Sequence, residues 1–154
     1  MHFRLSGLPA EPFADLFSLS DEALAERRAM RVVADQEHGY PCRISLTDAK
    51  PGQSLILLNY EHQSADTPFR STHAIYIREG EEQYDRINEV PDQLRRRLLS
   101  VRGFDEQGML RDADVTQGTA LEPVIDRLFA DAKIAYLHIH IARPGCYAAR
   151  VDRV

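Results

Sequence analysis

His138 and His140 stand one residue apart in YLHIHI, Tyr136 to Ile141, and the chain then passes through Arg143-Pro144-Gly145 to Cys146 and Arg150. Imidazole, thiol and guanidinium are the groups that ligate metals, move protons, attack electrophiles and clamp anions. Successive residues of a strand face opposite ways. Leu137, Ile139 and Ile141 therefore share one face, and Tyr136, His138 and His140 the other. In the return, CYAARVD, the apolar set is Tyr147, Ala149 and Val151, which leaves Cys146, Ala148, Arg150 and Asp152 beside the histidines. Matching the two apolar sets fixes the register, because a slip of one residue would bury Arg150 and Asp152. A three-residue connection with Gly145 in the left-handed conformation satisfies this parity. It predicts His140 opposite Ala148, His138 opposite Arg150, and Cys146 next to the turn.

Three chemistries fit that face. Histidines at i and i+2 have backbones ~7 Å apart, within reach of one metal ion. Zinc or iron would need further donors, and His73 in STHAI completes the expected metal set of His138, His140 and His73. Glu61 and His62 in NYEHQ, His38 and Cys42 are other donors. A second chemistry uses Cys146 as nucleophile with His138 or His140 as base, so that His138, His140 and Cys146 form the expected catalytic set. A third uses arginines in or beside strands, Arg150, Arg43 and Arg70, to grip a carboxylate or phosphate. Asn59 and Tyr60 close a buried strand, where sites are often built, and join Arg150 and Arg43 as expected substrate contacts. Each has a plain alternative. Polar residues on one side of a hairpin also describe a solvated sheet face, and arginines pair with the abundant carboxylates. His73 shares parity with Ile75 and Ile77, and Cys42 with Ile44 and Leu46, which equally suits a hydrogen-bonded core histidine and a structural thiol.

The elements holding these residues are read from periodicity and punctuation. HFRLSGL suggests a strand, and Ser20 caps a helix, EALAERRAMR, that must end before Tyr40-Pro41. Strands follow in CRISL, SLILLNYEH and STHAIYIRE; the continuous apolar run of Leu55 to Leu58 marks the second as central in its sheet. Pro91 opens a short helix, DQLRRRLL, with Arg95 to Arg97 on its solvated side. SVRGFDEQGMLRDADV reads as a hairpin about Gln107-Gly108. Thr119 with Glu122 forms a capping box for a helix burying Leu121, Val124, Ile125, Leu128 and Phe129. Consecutive strands with few helices between them predict α+β, a mostly antiparallel sheet of six to eight strands with two or three helices.

The 154 residues, 44% hydrophobic and 28% charged, suit one ordered domain spanning residues 1–154. A net charge of −5 argues against nucleic acid or an anionic membrane as partner, and no apolar run approaches the ~20 residues of a membrane helix. Two cysteines and an N-terminus lacking a secretion signal fit a cytoplasmic protein with free thiols. GxGxxG, P-loop, G-x-S-x-G, HExxH and CxxC patterns are missing, which disfavours nucleotide-fold enzymes, serine hydrolases, zincins and thioredoxin-like proteins.

In HGYPCRISLTDAKPGQSLILLNYEH, PFRSTHAIYIREG and DRLFADAKIAYLHIHIARPGCYAARVDRV the chain resembles the bacterial family known as domain of unknown function 1203, from about Val33 to Val154. The resemblance implies a small stand-alone bacterial protein and supplies no activity. It also implies an asparagine after the second histidine, where this chain has Ile141. Two functions remain. One is a small-molecule enzyme or metalloprotein, with zinc or iron and an anionic ligand; the other is a non-catalytic module binding a small anion or a protein partner through its sheet face.

Overall fold

Alternating apolar residues and turn residues between them produce nine strands in the computed structural model, which describes residues 1–154. They are β1 (Phe3–Ser6), β2 (Ala29–Val33), β3 (Ser54–Gln63), β4 (Ser71–Ile77), β5 (Asp85–Ile87), β6 (Leu98–Phe104), β7 (Leu110–Gln117), β8 (Tyr136–Ile141) and β9 (Tyr147–Arg153). The helices are α1 (Asp21–Glu26), α2 (Asp92–Arg95) and α3 (Leu121–Phe129), with 3-10 turns at Glu11–Ser18 and Gly118–Ala120. A six-stranded sheet has the order β5-β1-β9-β8-β6-β7, and a three-stranded sheet the order β2-β3-β4; every neighbouring pair is antiparallel. The fold is a single-domain α+β structure ending in the β8–β9 hairpin.

The large sheet is covered on both faces. On one side Leu99, Val101, Leu137, Ile139, Ala149 and Val151 pack with Leu121, Ile125, Leu128 and Phe129 of α3 in one core. Burying each such aliphatic or aromatic side chain stabilises by about 1.5–3 kcal/mol. On the other side Tyr147 packs into a second core with Ile56 and Leu58 of β3, Ile75 and Ile77 of β4, and Phe13 and Leu24. The face carrying the histidines is therefore no solvated surface: His138 and His140 are 4% and 1% exposed.

Local expectations failed where tertiary pairing outcompeted propensity. Ser20 does cap α1, its hydroxyl accepting from the Ala23 amide, but the helix ends at Glu26. Residues 29–33 instead pair with β3, Ala29 opposite Leu58. The segment CRISL forms only isolated bridges, Pro41 to Asp48 and Cys42 to Tyr76, although Cys42, Ile44 and Leu46 are buried. Helix α2 stops at Arg95 because Leu98 and Leu99 enter β6, where Leu99 lies opposite Ile141. The arginine run is a solvated face only at Arg96: Arg95 grips Glu122 and Arg97 grips Asp48, the Arg97 side chain being only 12% exposed. Thr119 falls in the 3-10 turn and caps nothing, since Glu122 is held by Arg95 rather than by a capping box.

Candidate functional site

The β8–β9 register begins as parity requires, with Leu137 opposite Val151, His138 opposite Arg150 and Ile139 opposite Ala149. It then shifts, so that His140 faces Tyr147 and Ala148 is the extra residue of a β-bulge. Beyond a bulge the alternation of faces reverses. Tyr147, expected with the apolar set, lies on the histidine face, and Cys146, expected beside the histidines, joins the core under α3. Gly145 does take the left-handed conformation, at φ 82°.

A second bulge supplies a third histidine. In the β3–β4 ladder Glu61 faces Thr72 and Gln63 faces Ser71, leaving His62 between them without a partner. Bulges re-aim side chains beside functional sites, and His62 lies against the large sheet, its ring 4.9 Å from that of His140 and 6.3 Å from that of His138. Gln63 donates to the Tyr136 hydroxyl at 3.0 Å and fastens this end of β3 to β8. Tyr147 floors the group, stacked on His62 at 5.6 Å with an interplanar angle of 5° and edge-on to His138 and His140.

One nitrogen from each of His62, His138 and His140 lies within 4.8 Å of the others. A metal held at 2.0–2.1 Å wants ligand nitrogens about 3.4 Å apart, so the rings would have to close by about 1 Å to hold one. The hydrogen bonding leaves nitrogens available for this. His140 Nδ1 donates to the Gly145 carbonyl at 2.9 Å, which leaves Nε2 as the lone-pair nitrogen. That Nε2, together with Nδ1 of His62 and Nδ1 of His138, is buried without any protein hydrogen-bond partner. Burial first, then neighbouring charges, lowers all three basicities: His138 to about 3 with His140 and Arg150 adding to the effect, and His62 to about 4 with Arg102 and His73 adding. For His140, also lowered to about 3, burial outweighs the opposing bond to Gly145. All three rings are neutral at pH 7, the protonation state a metal requires.

The other residues singled out by the sequence separate into different places. His73 does not join the cluster; its ring nitrogens lie 3.0 Å from the Ala74 carbonyl oxygen and 3.1 Å from that of Pro144. Arg43 is 1% exposed and donates to the carbonyls of Tyr147 and Pro41 and to Cys146 Sγ at 2.8 Å. Arg43, Cys146 and His73 line a cleft of about 440 Å³ together with Arg97 and Pro144, and the three clustered histidines do not line it. Cys146 has no hydrogen bond to either histidine and is, like Cys42, a buried free thiol. Arg150 keeps its place opposite His138, but pairs with Asp152 at 2.8 Å and lies over the Tyr136 ring at 4.1 Å. Asn59 is exposed and reaches Thr72, while Tyr60 packs against Phe13 and Tyr147. Arg70 pairs with Glu61 on the surface.

Neither Arg102 nor either bulge carries a sequence motif. His62 was one donor among several, and its alternation with Ile56, Leu58 and Tyr60 was the signal that it faces inward. No helix is long and apolar enough to cross a membrane. A family model described as "Protein of unknown function (DUF1203)" matches residues 39–153. No curated protein and no solved structure matches the chain.

Proposed function

For a chain that belongs to the DUF1203 family, whose description assigns no activity, we propose a mononuclear metal centre formed by His62, His138 and His140. The carrying observation is that three imidazoles, two buried and that of His62 half-buried, converge within 4.8 Å, each with a buried nitrogen that no protein group satisfies. Buried polar atoms in native proteins are otherwise nearly always paired. Three neutral nitrogen ligands suit zinc or ferrous iron and leave coordination positions for a small molecule, as in catalytic rather than structural sites. When bound, such an ion supplies Lewis acidity and an acidified water, so metal-assisted hydrolysis or another zinc or iron reaction on a small molecule is the activity class. The chain's own part is to hold the ligands: the Gly145 carbonyl fixes the His140 tautomer, the β3 bulge aims His62, and Tyr147 walls the group from the core. A non-catalytic module binding an anion is the second reading, supported by the cleft that Arg43 and Arg97 line.

Elemental mass spectrometry of protein purified without chelator is expected to give near-stoichiometric zinc or iron. The His138→Ala/His140→Ala double variant is expected to be empty yet folded. A wild type that stays metal-free after zinc and ferrous iron are added back removes the metal reading and leaves the anion-binding module.

A further inference from the structure

Arg102 lies directly opposite His138 across the β6–β8 ladder, and Ser100 directly opposite His140. Alternation puts Ser100 and Arg102 on one face of β6, the face of the histidines. Arg102 is half-buried and forms no ion pair; its one protein hydrogen bond runs from Nε to Ser100 Oγ at 3.3 Å. A guanidinium has five donor hydrogens, so four are left without a protein partner. Three other arginines are differently placed. Arg95, Arg97 and Arg150, also partly buried, each hold a carboxylate, Glu122, Asp48 and Asp152 respectively.

The charge balance then points to what is bound. Three neutral imidazoles leave a divalent ion uncompensated, and Arg102 adds a further positive charge at the same low-dielectric place. No carboxylate of the chain pairs with Arg102, whereas Arg150 is already neutralised by Asp152. We propose that Arg102 recognises the anionic end of a small oxoanion, a carboxylate in the first instance, held beside the His62–His138–His140 centre, and that this oxoanion is the ligand or substrate class of the site. The inference rests on the metal reading above. The planar fork of arginine matches the two oxygens of a carboxylate and, with a different bite, those of phosphate. The surface clefts of about 240 to 550 Å³ are lined by other residues, so this ligand binds outside them.

Cobalt(II) substitution provides a readout independent of turnover. Wild-type protein loaded with cobalt is titrated with acetate, with inorganic phosphate and with neutral acetamide, following the visible d–d bands. Saturable change with acetate and none with acetamide is expected, and an equal or tighter response to phosphate assigns the same pocket to phosphate esters instead. Arg102→Gln is expected to take up the same amount of cobalt and to bind the anion about 10- to 100-fold more weakly. Arg102→Lys, which keeps the charge and loses the fork, should fall between. Full cobalt uptake with equal anion affinity in wild type and both variants overturns the role of Arg102 alone. Absence of cobalt uptake by the folded wild type overturns the metal centre, and this inference with it.

Discussion

Arg43→Ala is expected to lower the unfolding free energy by about 3–5 kcal/mol and the melting temperature by roughly 10 °C, measured by urea and thermal denaturation. The guanidinium is 1% exposed and donates to the carbonyls of Tyr147 and Pro41, each at 2.5 Å, and to Cys146 Sγ. No carboxylate pairs with it, and burial lowers its basicity. The side chain therefore acts as a three-way brace between the hairpin turn and the segment around Pro41. Truncation leaves two buried carbonyl acceptors unpaired, each a loss of about 1–3 kcal/mol, and a cavity besides. Arg43→Lys should recover little, because one ammonium cannot reach carbonyls on separate segments along the directions the fork uses. Arg43→Met should recover packing without the hydrogen bonds and fall between. A loss below about 1 kcal/mol for the alanine variant would show that Arg43 is not the brace, and would return it to the candidates for binding an anion in the neighbouring cleft.

Arg43 shows what kind of information a single sequence carries. Its position within a strand-like CRISL suggested an accessible cation, because nothing local reveals that Tyr147, 104 residues away, presents a carbonyl to it. Strand identity was legible wherever alternation was clean: YLHIHI, SLILLNYEH and STHAIYI are β8, β3 and β4. The antiparallel α+β class followed from their order along the chain. The failures are equally physical. AMR, read as the end of the first helix, is drawn with Val32 and Val33 into an edge position beside β3, and Leu98 and Leu99 are claimed by β6.

The site was half legible for the same reason. Parity placed His138 opposite Arg150 correctly, since it holds as long as the ladder is regular. The ladders are irregular at Ala148 and at His62; the extra residue at Ala148 exchanged Cys146 for Tyr147, and His62 rather than His73 joins the cluster. A bulge has no compositional signature in a strand that contains no glycine, so alternation could show that His62 faces inward but not that it meets His138 and His140. Arg102 was hidden in a different way. Its strand was recognised, but which strand lies beside β8 is a matter of topology, and only that adjacency sets it against His138.

Acidifying metal-free protein is expected to unfold it between about pH 6 and pH 4, well before most carboxylates titrate. His138 and His140 ordinarily ionise near 6.5 and in the fold are lowered to about 3. The unfolded chain thus binds more protons than the folded one throughout that window. Stability is fully present above about pH 6.5 and is lost as the pH falls toward the folded values. At 1.36 kcal/mol per pH unit the two rings together represent on the order of 5 kcal/mol or more, a large part of the 5–15 kcal/mol typical of a domain. His62 adds in the same direction but is partly solvated and contributes less. The carboxylates of Asp85, Asp112 and Glu122 are held low by Arg4, Arg127 and Arg95, so their ion pairs survive until below about pH 4 and do not confuse the upper window. The His138→Leu/His140→Leu variant, which keeps the volume and removes the protonation sites, should move the acid midpoint down by about one pH unit or more, followed by circular dichroism with proton uptake from potentiometric titration. Zinc added to wild type should act in the same direction, since the ion and the proton compete for the same lone pairs. If wild-type stability is flat from pH 7 to pH 4.5 and the variant's curve coincides with it, these imidazoles are not held neutral by the fold, and the argument for them as ready metal ligands loses its energetic basis.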